Sequence, residues 1–309
     1  MRGLCQLRPV VRSGKPHPHE GLIVRDFWKR KSWAIQTAMR SFVLIAVAIA
    51  TSPGLAAESA WQELVPGVRA RLVTSDVLDA DGRTLAGIQI DMPQNYKTYW
   101  KTPGQTGIPT QIDLEGSQGV DGYEILWPYP TVDNAAGYLD YVYFGPTVLP
   151  IELKITSDAP SVVVSAVMGI CSDICMPAKA SFAMPLVFAK PDAAENLRLR
   201  QALANTPAPW QQNPEPIGDV IFDKSRGSLE VRIDEARIHP QSVIASFGDA
   251  SLLFGVPQKS PEPGLVLLPS LGTDTIEGLE GQPVQLTFMT DMGPFEVSRR
   301  VLPLAASSR

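Results

Sequence analysis

Two cysteines four residues apart, Cys171 and Cys175, stand between two stretches that both read as β-strands. Residues 161–167 are rich in β-branched side chains, and residues 180–188 keep strand character on the other side. The intervening Gly169-Ile170-Cys171-Ser172-Asp173-Ile174-Cys175-Met176-Pro177 therefore sits in a turn or bulge, not at the start of a helix. A pair so placed has three possible roles. As a structural staple, closing so short a loop contributes roughly 2 kcal/mol in the chain-entropy treatment. As a redox pair it would exchange, because exposed or strained disulfides are the labile ones. As a metal site, two thiolates with Met168 or Met176 would suit soft Cu(I). Spacing alone leaves all three open.

The redox compartment depends on the N-terminus. Met39-Arg40 precedes an apolar run over residues 42–50, and Thr51-Ser52-Pro53-Gly54-Leu55-Ala56-Ala57 follows. This is the order of a secretory signal, with cleavage expected after Ala56 or Ala57. The run is too short for a comfortable transmembrane helix, and an uncleaved anchor is the alternative. Residues 1–38 read as an upstream extension ahead of a true start at Met39. Cys5, His17 and His19 would then never meet the folded protein, which keeps Cys171, Cys175 and His239. An even cysteine count in an oxidising compartment suits a disulfide. Of the 27 basic and 32 acidic residues, nine and two lie in residues 1–57, so 18 and 30 remain, a formal charge near −12. Such a chain is a poor candidate for nucleic acid or anionic lipid.

With 309 residues the chain has room for two domains with cores, and its 28 prolines and 24 glycines punctuate short apolar runs. Strands are expected over 68–76, 85–92, 110–114, 123–127 and 148–156, with Asp81-Gly82 turning a hairpin. The expected class is all-β: an immunoglobulin-like sandwich over 58–190, a helix and proline-rich linker over 191–216, and a second, smaller β domain over 217–305. Asp192 and Glu195 give the helix a box-like start, and Thr206-Pro207-Ala208-Pro209 stops it. Strands resume over 219–223, 228–233, 242–247, 284–289 and 295–301.

Other constellations are thin. One retained histidine disfavours a Ser-His-Asp hydrolase or a multi-histidine zinc site, and His239 before Pro240 reads as a surface turn residue. Asp121, Glu124, Asp133 and Asp140 read as solvated loop charges. Tyr96, Tyr99 and Trp100 read as core or lid packing. Tyr138, Tyr141, Tyr143 and Phe144 form either a strand's packing face or an aromatic cap over a reactive site. No cofactor is implied.

Cys-x-x-x-Cys-x-Pro is similar to the motif of Sco-type copper chaperones, but those place it before a helix and need a distant histidine. Three segments together resemble the periplasmic N-terminal domain of the DsbD/ScsB thiol-disulfide reductases, the ScsB-like branch most. They are Tyr99-Trp100-Lys101-Thr102-Pro103-Gly104-Gln105-Thr106-Gly107-Ile108-Pro109-Thr110, the stretch from Gly137-Tyr138 to Val148-Leu149-Pro150-Ile151, and residues 169–178 around the cysteines. The resemblance implies that Cys171 and Cys175 shuttle between disulfide and dithiol, with Cys175 attacking the partner disulfide and Cys171 resolving. It implies electrons from a separate membrane-embedded reductase of DsbD, ScsB or CcdA type, or from a thioredoxin-like protein. The recipients would be periplasmic thiol oxidoreductases. Tyr138, Tyr141 and Tyr99 are the candidates to shield the pair. The alternative is a copper-binding or interaction module using Cys171, Cys175 and Met176. The chain departs from the DsbD pattern in its closer cysteine spacing and in lacking a clear aromatic cap loop around residues 134–138.

Overall fold

The computed structural model describes residues 57–188, 193–248, 252–272 and 278–304. The expected export segment, Cys5, His17, His19, Pro191 and Asp192 lie outside the described residues. Among the described residues no helix is long and apolar enough to cross a membrane.

Period-two burial builds a first sandwich of two antiparallel sheets. One sheet runs in the order β1 (Gln62–Val65), β2 (Val68–Thr74), β3 (Arg83–Asp91), β9 (Thr147–Ile155) and β6 (Val120–Ile125). The other runs β11 (Cys175–Pro185), β10 (Ser161–Cys171), β4 (Lys97–Gly104), β8 (Asp140–Phe144) and β7 (Thr131–Asp133), with β5 (Gln111–Asp113) also against β10. Leu149, Ile151, Leu153 and Ile155 of β9 are buried, as their alternation requires. They meet Trp100, Val162, Val164, Met168 and Ile170 from the opposite sheet. Trp100 and Tyr141 pack edge to face with centroids 5.7 Å apart. The all-β, immunoglobulin-like class expected from the sequence is the one that forms.

Helix α1 (Ala193–Ala204) lies on the first sheet rather than between domains. Its Leu199 is fully buried over Gly87, where any side chain would collide: a Cβ there would stand 2.8 Å from Leu199 Cδ2. Ser75 and Asp76 hold Asn196 beside it.

The second sandwich pairs the sheet β12 (Ala208–Pro209), β19 (Gly293–Arg300), β18 (Pro283–Thr290), β15 (Ile244–Ser246) with the sheet β13 (Ile217–Asp223), β14 (Ser228–Ile233), β17 (Leu265–Pro269), β16 (Gln258–Lys259). The proline-bearing run expected to be a linker is stitched into this body. Residues 208–209 pair in parallel with β19, and the Trp210 ring sits 5.0 Å from Phe295. Between the sandwiches, Lys101 Nζ donates to Gln285 Oε1 (2.6 Å) and the Tyr129 hydroxyl donates to the Ser242 carbonyl (2.6 Å). Burial pulls Lys101 below the usual lysine range against the pull of Glu296, and pushes Glu296 above the usual carboxylate range against Lys101.

Candidate functional site

β10 and β11 form one long hairpin whose last register pair is Cys171 and Cys175, joined as a disulfide across a three-residue tip. The β-branched run that makes β10 a strand thus delivers Cys171 to the hairpin end. The two sulfurs live in different surroundings. Cys171 is fully buried, whereas Cys175 is exposed on the edge strand next to Ile174, which is 71% exposed, and Met176. Cys175, Cys171, Lys97 and Phe144 are successive register partners across β11, β10, β4 and β8.

Tyr99 covers the pair from below. It is two residues along β4 from Lys97, so it shares the face on which Cys171 lies, and it packs with Cys171 and Val142 away from the sandwich core. Its hydroxyl stands 2.9 Å from Cys171 Sγ and 3.4 Å from Cys175 Sγ. Two glycines seat the ring. A Cβ at Gly107 would fall 2.5 Å from Tyr99 Cδ1, and one at Gly169 would fall 3.0 Å from Tyr99 Cδ2 and 2.8 Å from Ile108 Cβ. Residues 105–110, which carry the chain from β4 to β5, therefore strap across Tyr99. Gly104 makes the strap possible: its φ is +100°, and a Cβ there would meet the Leu139 carbonyl at 2.3 Å.

A charged prop stands beside the ring. Lys97 Nζ, 5.7 Å from the Tyr99 centroid, donates to Asp133 Oδ2 (2.7 Å) and Asp140 Oδ2 (3.3 Å). Asp140 also accepts from the Thr106 backbone N–H at 2.9 Å, which pins the strap. Asp133 and Asp140 are register partners, so the two carboxyl groups stand side by side and Lys97 bridges both, offsetting their repulsion. They are not solvated loop charges: Asp140 is 3% exposed. Lys97's hydrogen bond holds Asp133 below the usual carboxylate range. Burial alone would pull Lys97 down, but Asp133, Tyr99 and Asp140 outweigh it and its pKa is raised. Burial also pushes the Tyr99 phenol up, against the opposing pull of Lys97. Tyr99 thus keeps its proton at neutral pH and is a hydrogen-bond donor to sulfur.

The other aromatic candidates fall elsewhere. Tyr141 and Tyr143 point to the opposite face of β8 from Val142, into the sandwich core, and Tyr143 donates to the Pro128 carbonyl at 2.7 Å. Tyr141 as a shield is therefore corrected by strand alternation. Tyr138 stands in the β7–β8 turn, 54% exposed. His239 Nε2 lies 3.0 Å from Asp291 Oδ1 at the surface of the second sandwich. Among the described residues, no three of His, Cys, Asp and Glu group closely enough to hold a metal. Nothing in the local sequence marks Lys97, Asp133, Asp140 and Gly107 as site residues, since only the fold brings them together.

Residues 62–186 match the family model described as "Thiol:disulfide interchange protein DsbD, N-terminal". No curated protein matches the sequence. Among solved structures, the N-terminal periplasmic domain of ScsB from Proteus mirabilis aligns at a TM-score of 0.62 and 20% identity, over 80% of this chain and 99% of that one. That coverage extends well past residue 186, so the second sandwich shares in the likeness, which at this identity is one of fold. The human Desmocollin-1 ectodomain aligns at a TM-score of only 0.20 and 8% identity, over 74% of this chain and 46% of that one, too weak a likeness to bear on the fold. The hairpin-tip disulfide thus lies inside the segment that matches the DsbD N-terminal family, on an immunoglobulin-like sandwich.

Proposed function

We propose that this protein is a periplasmic thiol–disulfide exchange module that accepts an electron pair through Cys175 and hands it to exported thiol oxidoreductases. The observation that carries this is the asymmetry of the pair, an exposed Cys175 bonded to a buried Cys171 under a neutral phenol. A donor thiolate attacks the exposed Cys175 sulfur. The Cys171–Cys175 bond breaks, and Cys171 leaves as thiolate with the Tyr99 hydroxyl 2.9 Å away to donate to it. Cys171 sits where a good leaving group is needed, and a hydrogen bond to a charged sulfur contributes about 1.5–3 kcal/mol. A second donor thiolate then releases the partner, leaving the dithiol. Reduction of a target runs the same steps in reverse. The export-type segment and the periplasmic setting of the ScsB domain support the location. A membrane-embedded reductase of the DsbD, ScsB or CcdA kind is the fitting donor.

The test is the reduction potential of the Cys171–Cys175 pair, measured by equilibration in thiol redox buffers. A value of roughly −120 to −270 mV is expected, the range of exchange proteins. A value below about −300 mV marks a structural disulfide and ends this reading.

Replacing Tyr99 by phenylalanine keeps the ring in its glycine seat and removes only the hydroxyl. Reduction by dithiothreitol is expected to slow about tenfold, equivalent to about 1.4 kcal/mol of leaving-group stabilisation. Stopped-flow thiol trapping reads this, and an unchanged rate removes Tyr99 from the mechanism.

A further inference from the structure

The edge of β11 carries information about how a partner reaches Cys175. β11 is the terminal strand of its sheet, so one side of its backbone has no strand beyond it. The side chain of Gln62 shows which residues face that side. Ser181 N–H donates to Gln62 Oε1 at 3.2 Å, and Gln62 Nε2 donates to the Ser181 carbonyl. Ser181 therefore turns its backbone groups outward. By the two-residue period of a strand, so do Cys175, Pro177, Lys179, Ala183 and Pro185. The spacing of the cysteines agrees independently: their Cα atoms are 4.1 Å apart, the close approach of a pair that does not share ladder hydrogen bonds, so Cys175 N–H and C=O point away from β10.

Most of this edge is closed. Two of the six outward positions, 177 and 185, are proline and have no N–H to offer. Ser181 is occupied by the Gln62 amide, which acts as a one-residue substitute strand. A lysine, the residue commonly used to discourage edge pairing, stands at 179. At the hairpin tip the outward donor and acceptor of Cys175 are flanked by the exposed apolar side chains of Ile174 and Met176.

We infer that Cys175 presents its own backbone N–H and C=O as the recognition element for an extended, cysteine-bearing segment of the exchange partner, which docks by a single antiparallel β-bridge at that residue. The inference rests on the exchange reading above and adds the chemistry of what is recognised: main chain, with apolar contacts on either side. The closed edge keeps a partner from zipping further along β11, so the complex stays short-lived enough to turn over. Pairing of one residue brings the incoming sulfur to Cys175 in a fixed register and requires no particular side chain, which suits a module serving several targets.

The Cys5→Ser/Cys171→Ser chain leaves Cys175 as the sole thiol. It is mixed with short peptides whose central cysteine is activated as an aryl mixed disulfide. The Cys175 thiolate attacks the peptide sulfur, a new disulfide forms, and the aryl thiolate leaves with its electron pair and is read by absorbance. Parallel peptides carry one N-methylated backbone amide at each position flanking the cysteine. N-methylation at one flanking position is expected to slow the reaction about tenfold, while the symmetric small-molecule aryl disulfide reacts equally fast throughout. In the resulting mixed disulfide the Cys175 amide is expected to gain protection from hydrogen exchange. Equal rates for all peptides, with no protection, overturn the bridge and leave the exchange reading standing. The exchange reading fails separately, if the reduced two-cysteine chain does not reduce the peptide disulfide at all.

Discussion

Cys171→Ser and Cys175→Ser are expected to fail in different ways. With Cys175→Ser in a Cys5→Ser background the remaining sulfur is the buried one, and exchange with protein disulfides is expected to be lost altogether, more than a thousandfold by the scale of lost nucleophilic residues. With Cys171→Ser the exposed thiolate still attacks, but nothing displaces the partner. A covalent complex is expected to accumulate, visible on a non-reducing gel and cleared by dithiothreitol. The asymmetry follows from burial. Thiolate attack needs an accessible sulfur in line with the target bond, and of the pair only Cys175 offers one. Resolution needs a second sulfur held close by, which the hairpin register supplies whatever its exposure. Alkylation of the reduced wild-type chain reads the same asymmetry without mutation, with Cys175 modified first. Trapping through Cys171 instead would reverse the assigned roles.

The parts of this site that depend on local pattern were legible in the sequence. β-branched density placed both cysteines between strands, and alternation in residues 149–155 gave the buried face of β9. What depends on partners far along the chain was not. Tyr138, Tyr141 and Tyr143 drew attention by their density, but a strand sends alternate residues to opposite faces, and only Val142 of that run meets Cys171. Of the shielding candidates Tyr99 is the one whose hydroxyl lies against the sulfurs. Nothing local separates it from Tyr96. The separating signal is a pair of glycines, at 107 and 169, whose missing side chains make room for its ring. Asp133 and Asp140 looked solvated because the lysine that binds both is 36 and 43 positions away. The proline-bearing run after α1 carries loop composition, yet a buried tryptophan and two bridge residues commit it to the second sandwich. The strand β17 (Leu265–Pro269) is not legible in the sequence because a short apolar run between turn residues lacks a period to identify it.

The glycine seat supplies the second large expectation. At Gly107 a methyl group would stand 2.5 Å from both Pro103 Cβ and Tyr99 Cδ1, a separation that neither a ring nor a proline held in a strand can relieve by rotating. Gly107→Ala is therefore expected to destabilise the fold by about 1–3 kcal/mol, the usual penalty for overpacking a filled interior. Gly122→Ala is the control: nothing lies within 4 Å of its Cβ position, and urea titration should separate the two midpoints clearly. Displacing the ring also moves its hydroxyl from the sulfurs, so Gly107→Ala should slow reduction of the disulfide as Tyr99→Phe does. If both act through that one hydrogen bond, the double variant should be no slower than the slower single variant, a non-additivity expected of contacting residues. Simple multiplication of the two rate losses would show that the strap influences Cys171 by some route other than the phenol. If Gly107→Ala proved as stable as Gly122→Ala, the ring would have room it does not show, and the seat would have no part in fixing Tyr99 against the pair.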